Sequence, residues 1–234
     1  MKARNFNSLI RSITNSEDTI GLHSPIFSGN EKKYINQTID STYVSSVGKF
    51  VDKFEKNIST LTKSKYCIAT VNGTCAIHIA LILGNVKPND EVLTQALSFV
   101  ATSNAISYLN AKPIFIDVDI DTMGMSPSAL GSFLEEFGEK RETGTYNKLS
   151  GKKISACLPM HTFGFMSRID EIKMICDNWN INLLEDSAEA LGSKYKGKYS
   201  GTFGLLSAYS FNGNKIITSG GGGCITPQNE KLFK

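Results

Sequence analysis

Lys65-Tyr66-Cys67-Ile68-Ala69-Thr70-Val71-Asn72-Gly73-Thr74-Cys75-Ala76-Ile77-His78-Ile79-Ala80-Leu81-Ile82-Leu83-Gly84, followed after a polar turn by Glu91-Val92-Leu93-Thr94, decides the fold. Residues 66–71 form an apolar run of strand length, 74–84 are long enough for a buried helix, and 91–94 form a second short apolar run. Strand, helix and strand with no hairpin turn between them read as a crossover unit of a parallel sheet. The pattern recurs to the end of the chain. Further strands are expected at 113–117, 154–160, 181–185, 208–211 and 223–226, and helices at 99–109, 126–137 and 168–178. This predicts an α/β domain with a mostly parallel sheet flanked by helices. The polar, glycine-containing stretch 138–153 (GEKRETGTYNKLSGKK) reads as a surface excursion, and 228–234 as the start of another helix.

Upstream, Ser28-Gly29-Asn30-Glu31 has the form of a capping box opening a helix with apolar face Tyr34, Ile35 and Ile39. A second helix carries the stripe Val51, Phe54, Ile58 and Leu61 and is entered through the turn Ser45-Ser46-Val47-Gly48. Two parts are therefore expected: residues 1–50, an N-terminal segment with a helix packing on the main domain, and residues 51–234, the large α/β domain.

Composition sets outer bounds. With 234 residues, 41% hydrophobic and 20% charged, the chain can bury a core. A net charge of +3, scattered in twos and threes, gives no electrostatic footprint for nucleic acid or an anionic membrane. The charge-free stretch around 66–86 is interrupted by Asn72, Thr74, His78 and Asn85, so it is not a membrane span, and MKARNFNSLIRSIT lacks the apolar region of a signal peptide. A cytoplasmic location is expected. Cys67, Cys75, Cys157, Cys176 and Cys224 are odd in number and widely spaced, which suits reduced thiols; with His23, His78 and His161 also isolated, no metal site is expected.

In such sheets ligands bind beyond the carboxyl ends of the strands, so the residues just after each strand carry the chemical information. Asn72-Gly73-Thr74 opens a helix directly after a strand, where free N–H groups and the helix dipole favour a phosphate; the plain alternative is a turn with Thr74 as N-cap. Phe99 can place a ring over a flat ligand or belong to the core. Asp186 ends a buried strand, where a carboxylate needs a cationic partner; the plain alternative is a capping role for Asp186 or Ser187. Lys215 lies among small residues, before the run Gly220–Gly223, in a position to meet a ligand. That run does not match the dinucleotide fingerprint. Phosphate cradle, stacking ring, carboxylate for a ring nitrogen and reactive lysine together describe a pyridoxal phosphate site.

These segments, with Glu185-Asp186-Ser187-Ala188-Glu189-Ala190-Leu191-Gly192 and Ser210-Phe211-Asn212-Gly213-Asn214-Lys215, closely resemble the DegT/DnrJ/EryC1/StrS family of sugar aminotransferases. The resemblance runs from about His23 onward. His23-Ser24-Pro25, Ser28-Gly29-Asn30-Glu31 and the stretch 40–51 resemble the LegC branch, associated with legionaminic- and bacillosamine-type sugars. The resemblance implies the large domain of a fold type I pyridoxal-phosphate-dependent transferase. It implies that Lys215 holds the cofactor through its ε-amino group and then shuttles a proton, that Asp186 holds the pyridinium proton, that Gly73, Thr74 and Ser210 bind the phosphate, and that Phe99 stacks on the ring. Glu189 stands where the family often has glutamine, near the phenolic oxygen. The implied reaction is amino transfer from L-glutamate to a nucleotide-linked 4-keto-6-deoxy sugar by a homodimer. Two alternatives stay open: a catalytically incomplete cofactor domain, since the family's smaller C-terminal domain is absent from these residues, and a related dehydratase with histidine in place of the lysine, against which Lys215 argues.

Overall fold

The computed structural model describes residues 3–21 and 23–233. Its helices are α1 Ala3–Thr14, α2 Glu31–Asp40, α3 Lys49–Thr62, α4 Gly73–Leu83, α5 Val100–Tyr108, α6 Pro127–Phe137, α7 Ile169–Asn178 and α8 Glu230–Phe233. The strands are β1 Ile68–Thr70, β2 Glu91–Gln95, β3 Lys112–Ile116, β4 Gly138–Arg141, β5 Gly144–Asn147, β6 Lys153–Cys157, β7 Asn182–Asp186, β8 Lys194–Tyr195, β9 Lys198–Tyr199, β10 Leu206–Ser210 and β11 Gly223–Pro227.

The main sheet runs in the order β1-β11-β10-β7-β6-β2-β3. From β10 to β3 every neighbouring pair is parallel, while β11 lies antiparallel between β10 and β1. The fold is α/β, as the strand–helix alternation requires.

Alternation along the central strands builds two cores. Val92, Ala156 and Leu184 face α4 and α5, joining Ala76, Ile77, Ala80, Leu81, Ala105 and Ile106. Their immediate neighbours Leu93, Cys157 and Leu183 face the other way, joining Leu130 and Leu134 of α6 and Ile169, Ile172 and Cys176 of α7. Successive residues of a strand point to opposite faces, so continuous apolar runs are what a sheet covered on both sides demands. Each fully buried leucine or isoleucine adds roughly 1.5–3 kcal/mol to this packing.

Three expectations need correction. Residues 138–153 are not a mere excursion: β4 and β5 form an antiparallel hairpin that adds to the sheet through β5 and β6. Its inward residues are polar, Thr145 and Asn147, and Asn147 Nδ2 donates to the buried Glu91 Oε2 at 2.9 Å. The helix after Ser28 starts at Glu31, so the N-cap position is Asn30, two residues later than a Ser28 capping box would place it; the Asn30 side chain makes no capping bond, and Glu31 accepts a hydrogen bond from the Gly29 backbone. That helix buries none of its residues; Ile35 and Ile39 are exposed, and Tyr34 packs on Phe50. Helix α1 was not expected, although Phe6, Leu9, Ile10 and Ile13 carry the helical spacing.

α3 follows its expected stripe more closely. Ile58 is buried, and Phe54 meets Phe211 edge-on at 5.0 Å between ring centres. Glu55 Oε1 accepts the Ala69 backbone N–H at 2.8 Å, tying the helix to β1. Among the described residues no helix is long and apolar enough to cross a membrane.

Candidate active site

Sheet order brings together residues that are distant in sequence. β1 leads into α4 at Asn72-Gly73, and β10 ends at Ser210, two strands away. The approach is close enough to exclude a side chain: a Cβ on Gly73 would lie 2.7 Å from Ser210 Cβ and 2.9 Å from its hydroxyl oxygen. Gly223, where β11 passes beneath, is equally confined, since its Cβ would fall 2.4 Å from the Asn72 carbonyl carbon. The helix start is capped by Asn72, whose Oδ1 accepts the Cys75 N–H at 2.8 Å, and not by Thr74. Thr74 is thereby left with its side chain on the cavity. First-turn N–H groups, a Gly–Ser contact and a free threonine form a cradle suited to a phosphate.

Asp186 is the last residue of β7 and is buried. Its Oδ2 accepts Thr102 Oγ1 at 2.7 Å and its Oδ1 the Ala188 N–H at 3.1 Å. Burial pushes its carboxyl above the usual range, opposed by these two donors and by the positive charge of Lys215. A cationic ring nitrogen placed against it would complete its partners.

Lys215 lies beyond β10 with its side chain almost buried. Its Nζ is 2.9 Å from Glu189 Oε1 and 5.6 Å from the centre of the Phe99 ring. Phe99 is the N-cap of α5 and is exposed at the cavity, not part of the core. Glu189 uses its second oxygen to accept the Phe163 backbone N–H at 3.1 Å.

Gly73, Thr74, Phe99, Asp186, Glu189, Ser210 and Lys215 thus share one cavity of about 240 Å³. Lys194 and Lys198 lie on the separate β8–β9 hairpin. A larger cleft of about 890 Å³ adjoins at Glu189 and Lys215; His23, Pro25, Phe27, Phe163 and Ile216 are among its walls.

Some residues that shape the site lie outside the motifs. Gln95 ends β2 and ties two loops: its Oε1 accepts Met125 N–H at 2.8 Å and Met160 N–H at 3.3 Å, and its Nε2 donates to Thr162 Oγ1 at 3.0 Å. Buried His161 pairs with Glu185 at 3.1 Å, and Glu185 also accepts the N–H groups of Gly201, Phe203 and Gly204. Since His161 Nδ1 accepts the Ser167 N–H, its Nε2 carries the proton. Their only sequence signal is polarity at the end of an apolar strand. Among the described residues no cluster of His, Cys, Asp or Glu is arranged to hold a metal.

The model of the DegT/DnrJ/EryC1/StrS aminotransferase family matches residues 25–234. The chain belongs to this family. Among its family relatives, the putative pyridoxal phosphate-dependent aminotransferase EpsN of Bacillus subtilis is 42% identical over 215 residues, covering 92% of this chain and 53% of that protein. GDP-perosamine synthase of Escherichia coli O157:H7 is 37% identical over 92% of this chain and 54% of its own length. A solved aminotransferase of the same fold, from Psychrobacter cryohalolentis, superposes with a TM-score of 0.79 at 30% identity, over 90% of this chain and 50% of that one. The chain spans about half the length of the curated relatives it matches. Pyridoxal phosphate is the cofactor of the family, and the cradle at Gly73 and Ser210, the incompletely partnered Asp186 and the amine of Lys215 fit it.

Proposed function

We propose that this chain is the cofactor-binding part of an aminotransferase that moves an amino group from L-glutamate to the 4-keto carbon of a nucleotide-linked 6-deoxy sugar. The convergence of Lys215, Asp186 and the Gly73–Ser210 cradle on one cavity carries the reading. When bound, pyridoxal phosphate supplies a carbonyl that condenses with amines and a protonated ring that withdraws electrons.

In this reading the first-turn N–H groups of α4, Thr74 and the Ser210 hydroxyl take the phosphate. Asp186 keeps the proton on the ring nitrogen, and Phe99 covers the ring face. Lys215 provides the amine that bonds the cofactor, and its Nζ then moves the proton to and from the reacting carbon. Glu189 meets Lys215 rather than standing clear of it, so its carboxylate already has a cationic partner. The adjoining cleft takes the sugar, with the segment His23–Phe27 as one wall. A homodimer, a cytoplasmic location and a LegC-type sugar pathway belong to the same proposal, as does division into residues 1–50 and 51–234. Support for a nucleotide sugar comes from the GDP-perosamine synthases among the relatives. A dehydratase reading lacks the histidine it needs, because Lys215 occupies that position in the cavity.

The test has two stages. Borohydride reduction of the protein mixed with pyridoxal phosphate should fix the cofactor on the peptide containing Lys215, identified by mass. Glutamate with UDP-, GDP- and dTDP-linked 4-keto-6-deoxy sugars should then yield at least one amino sugar. Labelling elsewhere overturns the lysine assignment, and amination of simple 2-oxo acids alone overturns the sugar assignment.

A further inference from the structure

Behind Asp186 runs a line of two hydroxyl groups. Thr102 Oγ1 lies 2.7 Å from Asp186 Oδ2, and Ser98 Oγ donates to Thr102 Oγ1 at 2.9 Å. Ser98 also lies 3.3 Å from the Phe99 carbonyl and 3.5 Å from Met160 Sδ, both longer contacts. A hydroxyl has one proton to give, so Thr102, accepting from Ser98, directs its own at the carboxylate. Chained donors polarise one another, and a bond to an ionised acceptor is stronger than a neutral one. Thr102 is fully buried on α5, one turn from Phe99, and is the one side-chain donor to Asp186 among the described residues.

We propose that the Ser98–Thr102 hydroxyl pair is a positioning device that keeps the Asp186 carboxylate ionised and oriented toward the cavity, where a protonated heteroaromatic nitrogen binds. This rests on the cofactor reading above. Burial favours the neutral carboxyl, and a neutral carboxyl cannot hold a proton on a ring nitrogen. The titratable groups facing Asp186 are Lys215 and Glu189 across the cavity and His161, whose Nε2–H is engaged by Glu185. Thr102 adds a donor that none of these supplies.

The experiment follows the Asp186 carboxyl by ¹³C NMR against pH in the protein without cofactor, its resonance assigned by its loss in Asp186→Asn. Thr102→Val should raise the proton affinity of Asp186 about tenfold, Thr102→Ser should restore the native titration, and Ser98→Ala should give a smaller shift in the same direction. A native titration in folded Thr102→Val, or a Thr102→Ser variant that behaves like valine, overturns the proposal. If Thr102→Val does not fold, Ser98→Ala decides, and an unshifted titration there overturns it. Failure of the unaltered protein to be labelled by pyridoxal phosphate and borohydride removes the cofactor reading instead, while the titration still judges the hydroxyl pair.

Discussion

Lys215 and Glu189 form an ion pair, Nζ to Oε1 2.9 Å, at the junction of the small cavity and the larger cleft. The other Glu189 oxygen holds the Phe163 N–H, so one carboxylate joins the lysine loop to the turn Thr162–Gly164. Phe163 sits there at a φ of 52°, in the left-handed region that a non-glycine residue adopts only when held. Glu189→Gln, which keeps an acceptor for one of the two donors but takes the counter-charge from a nearly buried lysine, should cost about 1–3 kcal/mol in urea unfolding. Glu189→Ala should raise the amide hydrogen exchange rate at Phe163; unchanged exchange would refute the tethering role.

Gly73→Ala tests the cradle. Its Cβ would press on Ser210, and relief requires the strand end or the helix start to shift. The expected outcome is a loss of about 1–3 kcal/mol in stability and at least a tenfold weaker affinity for pyridoxal phosphate, read by absorbance titration.

Asp186 makes stability pH-dependent in the direction opposite to a salt-bridged carboxylate. Its carboxyl is raised in the folded chain by burial, so between the unfolded value of about 3.9 and the folded one the native state binds the proton more tightly. Stability from this group is therefore present at low pH and declines as pH rises through the folded value. Urea midpoints of the protein without cofactor should show this decline, and Asp186→Asn should remove that component. With cofactor, the same variant should retain the phosphate contacts yet slow amino transfer roughly a hundredfold to a thousandfold.

Asn147→Ala should destabilise the chain by about 1–3 kcal/mol, because it takes a hydrogen-bond donor from the buried Glu91 carboxylate. Chemical denaturation measures this directly. A neutral effect would mean that the hairpin contributes little to the sheet.

The central strands and their crossover helices were legible because Val92-Leu93, Ala156-Cys157 and Leu183-Leu184 each give one apolar side chain to either face. The β4–β5 hairpin was not, since Glu139, Lys140 and Arg141 are exposed and its inward residues, Thr145 and Asn147, are polar. Local pattern registers apolar burial and misses a polar pair formed across the chain. The same limit applies to the site. Asp186 and Lys215 announce themselves by position after a strand, whereas Thr102 gains its meaning only because the fold brings its hydroxyl to the end of β7. Nor does periodicity encode that β1 and β10 lie two places apart, which is what sets Gly73 against Ser210.

The antiparallel strand β11 has a consequence for the order of assembly. Ile68 pairs with Ile225, and Ala208 pairs with the same residue from the other side, so β11 is the wedge that joins early and late parts of the chain. During synthesis the parallel strands can find one another as they emerge, but β1 has no neighbour in the sheet until residues 223–227 are available. Contacts of such long sequence separation form late. Asn72 and Gly73 follow β1 directly, so the strand behind one side of the phosphate-facing wall acquires its sheet pairing only when β11 slides in.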